Sequence, residues 1–110
     1  MNGLWTAEFG SSTGMFGGGV AVFLDGKIMG GDGEYFYIGE YTLHEKTFKA
    51  TLKVSPFIEG AESVFKTIGR ELTLELWGLL TDAGRATAQG QPREMPDLKF
   101  GVKLTKRAEV

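Results

Sequence analysis

The amino-acid sequence predicts an all-β fold: an antiparallel up-and-down barrel of about eight strands with one short helical insertion. Three observations carry this. Apolar and polar residues alternate with period two in run after run, while helical spacing is scarce. The 17 glycines have no period and fall mostly between apolar runs, where a chain turns or bulges. The runs are short and follow one another across tight turns, as in a meander that closes on itself. A two-sheet sandwich shares this periodicity, so alternation alone leaves both architectures open.

Each element has its own warrant. Residues 4–9 place Trp5, Ala7 and Phe9 in one phase, and the Ser/Thr/Gly stretch 10–14 reads as a polar loop. Val20, Val22 and Leu24 share a phase in 18–24. Asp25-Gly26 then supplies a two-residue hairpin turn, whose central positions both need positive φ. Lys27 to Met29 starts the return strand, and Gly30-Gly31-Asp32-Gly33 is the next corner. In 34–41, Tyr35, Tyr37, Gly39 and Tyr41 share a phase.

The cleanest strand is 47–54. Phe48, Ala50, Leu52 and Val54 face one way, and Thr47, Lys49, Thr51 and Lys53 the other, as in a sheet with one dry side and one wet side. Residues 71–80 point Leu72, Leu74, Leu76 and Leu80 inward, and Asp82-Ala83-Gly84 turns the chain. Ala86, Ala88 and Gly90 give the next strand a small inner face, suited to a tightly curved sheet. Beyond Pro92 and Pro96, Leu98, Phe100, Val102 and Leu104 alternate with polar or small residues. Residues 56–69 break the pattern: Ile58, Ala61, Val64, Phe65 and Ile68 are spaced like one helical face, with Gly69 as a stop. This segment is expected to be a short helix or irregular lid. The barrel is expected to occupy residues 1–105 as a single domain, with 106–110 a frayed tail.

Composition narrows the function classes. A chain of 110 residues suits one core. The absence of cysteine excludes disulfides and thiolate zinc sites. Twelve basic against fourteen acidic residues leave no basic excess for phosphate neutralisation, so no nucleic-acid partner is expected. The first residues have neither a positive region nor a long apolar run, and no run of about 18 apolar residues occurs. The expectation is a cytoplasmic protein with no membrane association.

One local pattern points to a family. Gly19-Val20-x-Val22, then Asp25-Gly26-Lys27-Ile28-Met29-Gly30-Gly31-Asp32, then Tyr37-x-Gly39 resembles the GrlR-like negative regulators of type III secretion. Ser63-Val64-Phe65 ahead of Leu72-Thr73-Leu74 is compatible with the same alignment. The resemblance implies a small cytoplasmic lipocalin-like barrel of bacterial type. It also implies a homodimer that acts by binding another protein, such as a transcription regulator, and is not an enzyme. Gly30, Gly31, Asp32 and Gly39 would be its structural motif. In the best-known member an acidic run in the following turn is implicated in partner binding. The matching turn here, His44-Glu45-Lys46-Thr47, has mixed charge, so the steering field for that partner is absent.

No catalytic constellation stands out. His44 is the only histidine and has no second histidine or cysteine to join as metal ligand. Asp25, Asp32 and Asp82 each lie next to or near a glycine in a turn, which turn chemistry explains. The stretch Gly10-Ser11-Ser12-Thr13-Gly14 and the triplet Gly17-Gly18-Gly19 lack the Lys-Ser/Thr and helix of a phosphate loop, and no Gly-x-Ser-x-Gly elbow occurs. No cofactor is expected. Aromatics on a strand can stack bases, but Glu34 and Glu40 flank the tyrosines, and packing in a barrel wall fits better.

Two functional expectations result. The first is a regulatory module that binds protein, through the turn of His44, Glu45, Lys46 and Thr47, with Trp77 and Leu79 facing outward as a dimer interface. Burial of Trp77 and Leu79 under the 56–69 segment is the competing placement. The second is a carrier of a small apolar ligand, its pocket lined by Tyr35, Tyr37, Tyr41, Phe48, Leu74 and Phe100.

Overall fold

The computed structural model describes all residues, Met1–Val110. Eight strands follow in chain order: β1 (Gly3–Ser11), β2 (Phe16–Leu24), β3 (Lys27–Gly31), β4 (Tyr35–His44), β5 (Thr47–Pro56), β6 (Leu72–Asp82), β7 (Arg85–Pro92) and β8 (Phe100–Ala108). Each pairs antiparallel with the next, and β1 pairs with β8, so the sheet closes into a barrel. Closure decides between barrel and sandwich, and it leaves no free edge.

The hairpin at Asp25-Gly26 has φ of 49° and 84°, both positive, which matches the right-handed twist of β2 and β3. On β5 and β6 the expected faces are observed. Phe48, Ala50 and Leu52 are buried with Leu72, Leu74 and Leu76, while Lys49, Thr51 and Lys53 face water. On β2 the phase holding Val20, Val22 and Leu24 faces outward, and Ala21 and Phe23 are buried. The reason lies across the sheet. Trp5 pairs with Ala21 and Phe9 with Gly17, and the Phe9 ring occupies the space a side chain at Gly17 would need. Small inner residues on β2 make room for large ones on β1.

Residues 56–69 form no helix. Ser63 Oγ accepts hydrogen bonds from the backbone N–H groups of Phe65 and Thr67 (3.1 and 3.4 Å), and the Ser63 N–H donates to Thr67 O (2.9 Å). Such local bonds give the backbone an alternative to the helical ladder. Gly60, Lys66 and Gly69 have positive φ, and a single bridge joins Glu62 and Ile68. The segment is a tight non-helical loop in which Ala61 and Phe65 are buried but Ile58 and Ile68 are exposed. At the other terminus β8 continues through Ala108, because Lys106 and Ala108 pair with β1 across a bulge at Leu4/Trp5.

Two aromatic groups set the ends of the core. Trp5, Phe23 and Tyr41 stack edge-on at one end, with centroids 6.0 and 5.2 Å apart. Phe9, Phe100 and Phe65 pack at the other, 5.6 and 5.7 Å apart. The N-terminus seals the first end. Trp5 Nε1 donates to Met1 O at 2.9 Å, and Tyr41 Oη donates to Asn2 Oδ1 at 3.2 Å.

Candidate ligand cavity

Between these aromatic groups lies a cavity of about 330 Å³, lined mostly by apolar side chains. Its walls are the inner faces of β4, β5, β6 and β8, through Tyr37, Phe48, Ala50, Leu52, Leu74, Leu76, Val102 and Leu104. It reaches the barrel end formed by Met15 and Phe16, the corner 32–34, and residues 62–65. Its size falls at the lower end of ordinary small-molecule sites, roughly 300–1,000 Å³.

The loop 57–71 lies across this end. The Tyr35 hydroxyl donates to Ala61 O (3.1 Å) and approaches Thr67 O (3.5 Å). On the far rim Val64 O accepts from both Ser11 Oγ (2.5 Å) and Thr13 Oγ1 (2.6 Å). Phe65 is buried against Phe100 beneath it. The loop is thus tied to β4 on one side and to the β1–β2 turn on the other.

Asp32 organises the corner beside it. Asp32 Oδ1 accepts the backbone N–H groups of Glu34 and Tyr35, each at 2.8 Å, and Oδ2 accepts the Tyr37 hydroxyl. Burial, and then the hydrogen bond to Asp32, push the Tyr37 phenol well above the ordinary range. Tyr35 is also raised, first by burial and then by the charges of Glu34, Asp32 and Glu62.

Of the residues expected to line a pocket, Tyr35, Tyr37, Phe48, Leu74 and Phe100 do so. Tyr41 does not: it packs on Phe23 at the closed end, with its hydroxyl on Asn2. The motif glycines are structural in this geometry. Gly31 ends β3 at the Asp32 corner, and Gly30 and Gly39 lie so close to the neighbouring strands that a Cβ would strike backbone atoms of Val20 and Thr51. The turn of His44, Glu45, Lys46 and Thr47 is exposed at the barrel end opposite the cavity mouth, with Thr47 Oγ1 donating to His44 O at 3.0 Å. Trp77 and Leu79 point outward on β6 and are 44% and 46% exposed; the 57–71 loop does not cover them.

The sequence carries no signal for the loop's attachment at the rim. Ser11 and Thr13 read as ordinary polar loop residues, and nothing local marks them as partners of Val64. No protein-family model matches the chain, and no curated protein matches it.

Proposed function

We propose that this protein binds a small apolar molecule inside the barrel, in the manner of a lipocalin-like carrier. The observation that carries the reading is the apolar cavity of about 330 Å³ beneath a two-sided loop. An apolar cavity of this size, open at one end of the barrel, offers a ligand's apolar tail dry surface and dispersion contacts that water does not match. The outer faces of β5 and β8 carry Lys49, Lys53 and Lys103, the reverse of the apolar exterior of a barrel in lipid.

The test is calorimetric titration with decanol, beside an Ala50→Leu variant that fills the cavity from β5. Saturable binding by the native chain and its loss in the folded variant are expected. Equal binding by the variant removes the reading, as does absence of binding to the native chain by decanol and by the amine and carboxylate of the same chain length.

A second reading rests on the outer surface. Val22, Met29 and Ile38 are cross-strand partners in one row, and Met29, Phe36 and Ile38 are exposed together on that side. Trp77 and Leu79 add a separate exposed pair. These apolar surfaces, with the Gly30-Gly31-Asp32 resemblance, support a dimeric regulator similar to the GrlR-like family. A monomeric mass by light scattering at high concentration would count against the dimer.

A further inference from the structure

In a barrel that carries an apolar ligand, the charge at the cavity mouth acts on the ligand's head group; selectivity for that head group rests on the carrier reading. Three carboxylates, Asp32, Glu34 and Glu62, are among the residues lining the cavity, and no lysine, arginine or histidine is. None of the three is in an ion pair, since the four present involve Glu71, Asp82, Glu75 and Glu109. The other polar groups there are largely committed within the protein. The Tyr35 hydroxyl donates to Ala61 O, the Tyr37 hydroxyl to Asp32, and Ser63 Oγ bonds Thr67 Oγ1 at 2.7 Å. What remains for a ligand is acceptor capacity: the Glu34 and Glu62 carboxylates, which make no side-chain hydrogen bond to the protein, and spare lone pairs on Asp32 and Tyr37.

We propose that the cavity selects amphiphiles with a cationic or hydrogen-bond-donating head, long-chain amines above all, and discriminates against fatty carboxylates. The apolar tail occupies the space between Phe48, Leu52 and Leu74, and the head stays at the mouth among the carboxylates. An ammonium donates to acceptors that have no protein partner. A ligand carboxylate offers no donor and meets three like charges, with no cation among the lining residues. An alcohol falls between, having one donor and no charge. The three side chains do not gather into a metal-ligating group, so the complement is an organic head rather than a bare cation.

The experiment is calorimetric titration of the full chain with decylamine and decanoate below their micellar concentrations and with decanol below its solubility limit. The Ala50→Leu variant serves as a cavity-blocked control. The expected order is amine, then alcohol, then carboxylate, with amine and carboxylate at least about tenfold apart at low salt and closer together at high salt. A Glu34→Gln/Glu62→Gln variant is expected to narrow the gap between amine and alcohol several-fold, while Asp32 keeps its corner. Decanol binding accompanied by decanoate as tight as the amine overturns the head-group selectivity and leaves the carrier reading standing. Amine binding that persists in the cavity-blocked variant also overturns it, as surface attraction to an acidic chain. If none of the three binds, the carrier reading fails and this one with it.

Discussion

Tyr37 and Asp32 form one unit: the phenol donates to the same carboxylate whose other oxygen holds the backbone N–H groups of Glu34 and Tyr35. Asp32 therefore fixes the β3–β4 corner and the orientation of Tyr37 at the cavity mouth together. Asp32→Ala removes three charge-assisted acceptor bonds and is expected to cost about 2–3 kcal/mol in urea denaturation. Tyr37→Phe removes one and should cost about 1–2 kcal/mol. The double variant should cost less than the sum, because the two changes share a bond. Strict additivity would show that the pair is not coupled.

The same pair sets the alkaline limit of stability. Burial and the Asp32 hydrogen bond raise Tyr37, and burial with nearby carboxylates raises Tyr35, from an ordinary value of 10.0. Below that value both phenols are protonated in the folded and the unfolded chain, and their contribution is fully present. As pH rises past it, the unfolded chain releases protons that the folded chain retains, so stability falls towards the folded-state pKa. Tyr37→Phe should flatten this fall. Tyrosinate absorbance from Tyr37 should develop only with unfolding. Full ionisation of Tyr37 in the native state would contradict the burial.

Two glycines, each followed by a glutamate, should respond very differently to alanine. A Cβ at Gly39 would strike the Thr51 carbonyl and lie 2.9 Å from Leu52 Cα, whereas one at Gly33 meets nothing within 4 Å. Gly39→Ala would have to displace β5 and is expected to cost about 3 kcal/mol or more, or to prevent folding. Gly33→Ala should stay within about 0.5 kcal/mol of the parent. Thermal unfolding of the two variants side by side makes the comparison, and similar behaviour would place Gly39 in a looser sheet.

The barrel was legible where one face is wet and the other dry. Lys49, Thr51 and Lys53 opposite Ala50, Leu52 and Val54 leave β5 no other register. Closure was not, because the β1–β8 pairing joins residues from opposite ends of the chain and no local residue encodes it. In 56–69, helical spacing was present, but Ser63's bonds to Phe65 and Thr67 satisfy the backbone in another way. The tyrosine phase on β4 was readable, yet which tyrosines meet a cavity depends on what fills each end. Asn2 and Phe23 take Tyr41 at one end, while the other end keeps open volume beside Tyr37.

The two tryptophans report on opposite sides of the wall. Trp5 is fully buried, with its indole N–H on Met1 O, and Trp77 is 44% exposed. Acrylamide quenching of the native chain should resolve two populations. Trp77→Phe should leave a single blue-shifted, quench-resistant emission with stability within about 0.5 kcal/mol of the parent. If Trp77 is already shielded at micromolar concentration and becomes exposed on dilution, a self-interface covers it.

The loop over the cavity should open locally before the barrel unfolds. Its attachment to the β1–β2 rim is concentrated on one carbonyl, since Val64 O accepts both Ser11 Oγ and Thr13 Oγ1. Its other anchors are the Tyr35 hydroxyl and the buried Phe65. Ser11→Ala combined with Thr13→Val removes both donors to Val64 and leaves the strand ladders intact. The expected loss is about 1–2 kcal/mol of local closing energy, a factor of roughly 5–30 in the open population. Native-state hydrogen exchange should accelerate by that factor at the Ser63 and Lys66 amides, which are bonded within the loop. The amides of β5 and β6, which exchange through global unfolding, should accelerate by no more than the same factor and stay far slower than those of the loop. Loop and strand amides exchanging with one common opening free energy would show instead that the loop and the strands open as one unit. Unchanged rates in the loop would show that Tyr35 and Phe65 hold it without the rim.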